Sequence, residues 1–129
     1  MRVNDGRPMS ETMRDLLTKQ DELHARSREV DEEVKRASIA EAAALCDYKL
    51  AHSVAYLAAE GSAATRTAVA DRDTIALLRG LEIARALRRS AMEASSTLHH
   101  AMDAHAAQNH AYNRELKTEL ELAGAGGGR

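Results

Sequence analysis

Apolar residues return at helical spacing along almost the whole chain, in two runs separated by one short break. The first run, from Ser10 to Glu60, contains neither glycine nor proline. Met13, Leu16, Leu17, Leu23, Val30, Val34, Ala37, Ala44, Leu45, Tyr48, Ala51, Ala55 and Ala58 recur in it at intervals that place them along one side of a helix. Seven-residue returns through Leu16, Leu23, Val30, Ala37, Ala44, Ala51 and Ala58 suggest a coiled-coil-like seam, interrupted at Gln20, Ser27 and Glu41. Ser27 or Ser38 could mark a bend. The second run, Thr74 to Leu122, has one glycine, Gly80. Here Leu77, Ala84, Ala91, Leu98, His105 and Tyr112 interleave with Leu81, Arg88, Ser95, Met102, Asn109 and Leu116. Ala91, Ala94 and Ser95 are small enough for a close helix approach.

Between the runs, Glu60-Gly61-Ser62 is the clearest stop signal. Gly61 can take the left-handed position after a helix and Ser62 can cap the next one. The organisation expected is a flexible leader over 1–9, a single helical domain over 10–122 and a disordered tail over 123–129. Within the domain, one long helix covers about 10–60, a turn with room for a short helix covers 61–73, and a second long helix covers about 74–122. Ser10 is expected to cap the first helix, with Glu11 in its favourable first turn. Each long helix would span roughly 75 Å at 1.5 Å per residue. The fold class is all-α, a long antiparallel helical hairpin, with Val34 falling near His100, Tyr48 near Ala86 and His24 near His110.

Composition changes this picture by limiting what such a hairpin can bury. Of 129 residues 26 are alanine, none is Phe or Trp, and the three tyrosines are Tyr48, Tyr56 and Tyr112. Alanine favours helix at little entropic cost but contributes little apolar area. A lone hairpin is therefore expected to complete its core by homo-oligomerisation into a helical bundle. The residues expected to fill that oligomer seam are Leu16, Leu23, Val30, Val34, Leu45, Tyr48, Leu77, Leu81, Leu98, Met102, Tyr112 and Leu116.

Charge narrows the partners. Eighteen basic and 20 acidic residues are well mixed, for a net charge of −2, so no global basic field marks a nucleic-acid binder. No apolar stretch is long enough to cross a bilayer, and the amino terminus lacks a signal peptide's apolar core. The single cysteine, Cys46, cannot form an internal disulfide, which suits a reducing cytoplasm.

Candidate chemistry is sparse. Six histidines include His99 and His100 at helical spacing from Asp103, yet there is no His-Glu-x-x-His, no cysteine pair and no Glu-x-x-His repeat. No metal, cofactor or catalytic residue is expected; the histidines instead read as solvated or interhelical groups that weaken packing when protonated. His52 and Ser53 are adjacent, and neighbours on a helix diverge. The most distinctive polar set is Arg66, Arg72, Arg79, Arg85, Arg88 and Arg89, opposed locally only by Asp71, Asp73 and Glu82. Such a strip could contact phosphates or an acidic partner, although it lacks the aromatic platforms of single-strand binders.

The Ala-rich stretch through Asp47-Tyr48-Lys49-Leu50-Ala51 is followed by Ala59-Glu60-Gly61-Ser62, by Thr65-Arg66-Thr67-Ala68-Val69-Ala70 and by Asn113-Arg114-Glu115. Through these motifs, roughly Glu41 to Glu115 resembles a loose group of small helical proteins encoded by bacteriophages of actinobacteria and other Gram-positive hosts. Members tend to be encoded among early genes for replication and recombination. The resemblance implies a phage accessory protein that acts by binding in the host cytoplasm, and it carries over no catalytic or binding residues.

The function expected is thus that of a non-enzymatic oligomeric interaction or adaptor protein. Its partner would be a second copy of the chain, or another phage or host protein, and not a membrane. Two alternatives stand beside it: a nucleic-acid-associated replication or recombination accessory using the Arg66–Arg89 strip, and a virion scaffold or tail-assembly protein.

Overall fold

A computed structural model describes residues 9–127, with side chains over 11–124, as three α-helices. These are α1 (Met9–Ala58), α2 (Ala63–Asp73) and α3 (Ile75–Gly127). The expected leader lies outside the described residues apart from Met9, which already belongs to α1. Ser10 consequently occupies a helical position, and its side chain also lies outside them. With no Gly or Pro to interrupt it, α1 runs through Ser27 and Ser38 without a break. At the other end, α3 continues to Gly127 where disorder was expected from 123 onward. Extending an existing helix adds one hydrogen bond per residue fixed, and Ala123 and Ala125 alternate with the glycines.

The turn after α1 is built as its residues dictate. Gly61 has φ of 108°, a conformation that costs a side-chain-bearing residue about 1–2 kcal/mol. Ser62 caps α2, its hydroxyl accepting from the Thr65 amide at 3.2 Å. Between α2 and α3 only Thr74 leaves the helical path. Its amide and its hydroxyl both donate to the Ala70 carbonyl, at 3.1 and 2.6 Å, while its own carbonyl accepts the Leu78 amide at 3.0 Å. One residue therefore terminates α2 and starts α3.

The chain divides into two compact units, one of residues up to Glu29 with those from Ser96 onward, the other Val30–Ser95. In the first, α1 and α3 run antiparallel. Leu16 packs on Tyr112, with Leu116 beside them, and Leu23 and Thr12 are buried on the same face of α1. In the second, α1 and α3 are again antiparallel, and α2 runs back along α1 with Asp71 reaching His52 and Arg66 lying over Tyr56. Its buried residues are Val30, Ala70, Thr74, Leu81 and Ala84.

The register differs from the expected one by about a turn and a half. Leu16 meets Tyr112 where Thr118 was expected, and Glu41 meets Arg88 where Glu93 was expected. The reason lies at Gly61. The chain reverses there at once, so α2 already belongs to the return path, whereas the expected pairing placed the reversal in the middle of the connection.

Candidate interaction surfaces

Side chains of the first unit include its most polar interior. His105 is buried and donates from Nε2 to the Leu16 carbonyl at 2.9 Å. Since a carbonyl can only accept, that ring nitrogen carries the proton. His105 also lines an open cleft of about 270 Å³ with Gln20, Leu23, His24, Met102, Asp103, Ala106 and Asn109. The interruption that Gln20 makes in the apolar series thus borders this cleft.

In the second unit, the interruption at Glu41 is answered from α3. Its carboxylate lies 3.5 Å from the Arg88 guanidinium. Ala37, Ala44, Ala51 and Ala55 on α1 and Ala84, Ala91 and Ala94 on α3 take inward or half-buried places. Val30, Val34, Leu45 and Leu81 share this inner side, and other large apolar side chains take the opposite side. Ile39, Leu50, Val54 and Leu57 on α1 are between 58% and 75% exposed, and Ile83, Leu87 and Met92 on α3 are exposed as well. Ile83 and Leu87 border a shallow groove with Ala37, Ala40, Gly80 and Arg36, which continues past Ser90, Ala91 and Ala94.

Of the twelve residues expected in an oligomer seam, eleven are buried or half-buried within the chain itself: Leu16, Leu23, Val30, Val34, Leu45, Tyr48, Leu81, Leu98, Met102, Tyr112 and Leu116. Leu77 is 40% exposed. Sequence reasoning missed the outward set of α1. A signal was present, since Ile39, Ala43, Cys46, Leu50, Ser53 and Leu57 recur at alternating spacings of four and three. The seven-residue alanine series drew attention to the other face.

The six arginines do not form one strip. Arg66 is half-buried, its guanidinium carbon 5.9 Å from the Tyr56 ring centroid, a cation–π arrangement. Arg72 pairs with the neighbouring Asp73 at 3.1 Å, and Arg88 reaches Glu41. Arg79, Arg85 and Arg89 are exposed on α3, and Glu82, also exposed, stands one turn before Arg85. Among the histidines, His52 lies 2.8 Å from Asp71, and its ring tilts against Tyr48 with centroids 5.7 Å apart. Among the described residues, no three His, Cys, Asp or Glu side chains gather in a metal-binding arrangement, and no helix is long and apolar enough to cross a membrane. Cys46 is a free, exposed thiol.

No protein-family model matches this chain, and no curated protein or solved structure is significantly similar to it. What it does must be argued from its surfaces.

Proposed function

We propose that the protein is a non-enzymatic interaction protein that works as a self-assembled helical complex. The observation that carries this reading is the distribution of side-chain size in the second unit. Its interhelical face is rich in alanine, with Val30, Val34, Leu45 and Leu81 among the alanines, while six further bulky aliphatic residues, Ile39, Leu50, Val54, Leu57, Ile83 and Leu87, lie outward. Burying one such side chain stabilises by about 1.5–3 kcal/mol relative to leaving it in water. Exposed aliphatics gathered on one helix face mark a surface that another molecule covers. A second copy is the simplest partner, because it is present wherever the chain is.

The likeness to small helical phage proteins extends the proposal to a phage-encoded accessory factor acting in the host cytoplasm. The test is the absolute mass in solution by light scattering coupled to gel filtration, at low and moderate salt. A particle of at least twice the 14.0 kDa chain mass is expected. A particle of single-chain mass at concentrations up to 100-fold above the lowest detectable would overturn the self-assembly reading.

A further inference from the structure

Along α1 in the second unit, Ile39, Ala43, Cys46, Leu50, Ser53 and Leu57 are all exposed. At 3.6 residues per turn they fall within an arc of roughly 80°, on the side of the helix away from Glu41 and Tyr48. This is the four–three spacing of a coiled-coil seam: Ala43, Leu50 and Leu57 hold one core position of the heptad, and Ile39, Cys46 and Ser53 hold the other. It is a second seam, separate from the one that packs α1 on α3.

We infer that this stripe pairs with the same stripe of a second copy, antiparallel, about a two-fold axis midway between Cys46 and Leu50. The seam is a specific form of the self-association proposed above and rests on it. One alignment satisfies every layer together. Ile39 stacks on Leu57 of the second copy, Ala43 on Ser53, and Cys46 on Leu50, each twice by symmetry. Large meets large at both ends, small meets small in the Ala43–Ser53 layers, and the small Cys46 leaves room for Leu50 in the two central layers. A two-fold interface requires this kind of self-complementarity.

Charge selects the direction. The next seam position before Ile39 is Arg36, and the next after Leu57 is Glu60, two residues past the end of α1. Both side chains are exposed. In the antiparallel alignment Arg36 faces Glu60 of the second copy at each end, closing the stripe with two opposite-charge pairs. A parallel alignment would stack Arg36 on Arg36 and Glu60 on Glu60. At the margins of the antiparallel seam Asp47 faces Asp47 and Lys49 faces Lys49 across the axis. These like pairs are solvated, and they give the alignment a signature: removing either charge tightens it by about twofold.

The full-length chain tests this with a Cys46→Ser background carrying Ala43→Cys and Ser53→Cys. These two thiols lie about 15 Å apart on one helix, so they can join only between copies, where the alignment places them in one layer. Mild oxidation is expected to trap a covalent dimer, while variants with either cysteine alone stay uncrosslinked, since paired Cα atoms must come within about 7 Å. In parallel, Leu50→Glu is expected to weaken dimerisation at least about tenfold, with helical circular dichroism unchanged, because Leu50 makes no part of the intramolecular core. A non-covalent dimer whose double-cysteine variant fails to cross-link, or whose single-cysteine variants cross-link with themselves, overturns the seam and leaves self-association standing. A chain of single mass throughout overturns both.

Discussion

The two units solve the same packing problem with different materials. Up to Glu29 and from Ser96, α1 and α3 meet through large side chains, Leu16 against Tyr112, together with a buried histidine that donates to a helix carbonyl. From Val30 to Ser95 the inward face is richer in alanine, with Leu81 and Val30 as the fully buried aliphatics, each 1% exposed, and Val34, Leu45 and Tyr48 half-buried. The first unit thus buries Leu16, Leu23 and its largest side chain, Tyr112, and leaves Met13, Leu17, Leu120 and Leu122 exposed. The second holds much of its bulk outside, and that difference separates residues that keep the chain folded from residues available to a partner.

The largest effect should follow from inverting the second unit's interior. Leu81→Asp would bury a carboxylate where an aliphatic side chain is 1% exposed, a loss of at least about 3 kcal/mol. Chemical denaturation measures it, and an unchanged midpoint would mean that Leu81 does not face α1. The same change at Leu50, 69% exposed, should leave the midpoint of the dissociated chain within about 0.5 kcal/mol. That contrast is the sharpest test of an inside–outside division within one unit.

Next in size, Tyr112→Ala removes the main filler of the first unit and should cost about 3 kcal/mol. If the midpoint moves no more than for a surface alanine substitution, the Leu16–Tyr112 cluster is not a core. A smaller loss, about 1–2 kcal/mol, is expected for His105→Ala, which leaves the His105-facing lone pair of the Leu16 carbonyl without a donor in a buried place. Gln at 105 can restore a donor and should recover part of the loss; equal stability of Ala and Gln variants would show that the hydrogen bond contributes nothing.

The glycines give the finest comparison, with opposite signs. A Cβ at Gly80 would meet nothing within 4 Å, so Gly80→Ala should raise stability by about 0.5–1 kcal/mol through helix propensity and reduced unfolded-state freedom. At Gly61 the positive φ is unfavourable for alanine, and its Cβ would sit 3.4 Å from two Thr65 carbons. Gly61→Ala should therefore destabilise by about 1 kcal/mol. Melting curves of the two variants shifted in the same direction would contradict the conformations assigned to them.

Much of the helical layout was legible in residue order. The absence of Gly and Pro over Ser10–Glu60, and the Gly61-Ser62 pair, are local signals whose physics acts within one or two turns. Position within the seam was less legible. Glu41 reads as a flaw in an apolar series until Arg88 is placed against it from α3. Arg66 and Arg88 read as members of a basic strip until Tyr56 and Glu41 are seen beside them. Ile39, Leu50, Val54 and Leu57 stand outside the apolar series read from the sequence, because periodicity cannot rank two stripes on one helix when each has the same period.

The chain by itself therefore determined helix content, the point of reversal and the small interior area that an alanine-rich composition allows, since propensity, capping and composition are properties of short segments. Only the tertiary structure decided the register, because that depends on α2 turning back along α1 immediately after Gly61. It also decided which apolar stripe each helix turns inward. That choice is a competition between faces of one helix for a single neighbour, and it is resolved by which face fits closest against α3. The alanine-rich face fits, and Ile39, Leu50, Val54, Leu57, Ile83 and Leu87 are left on the outside.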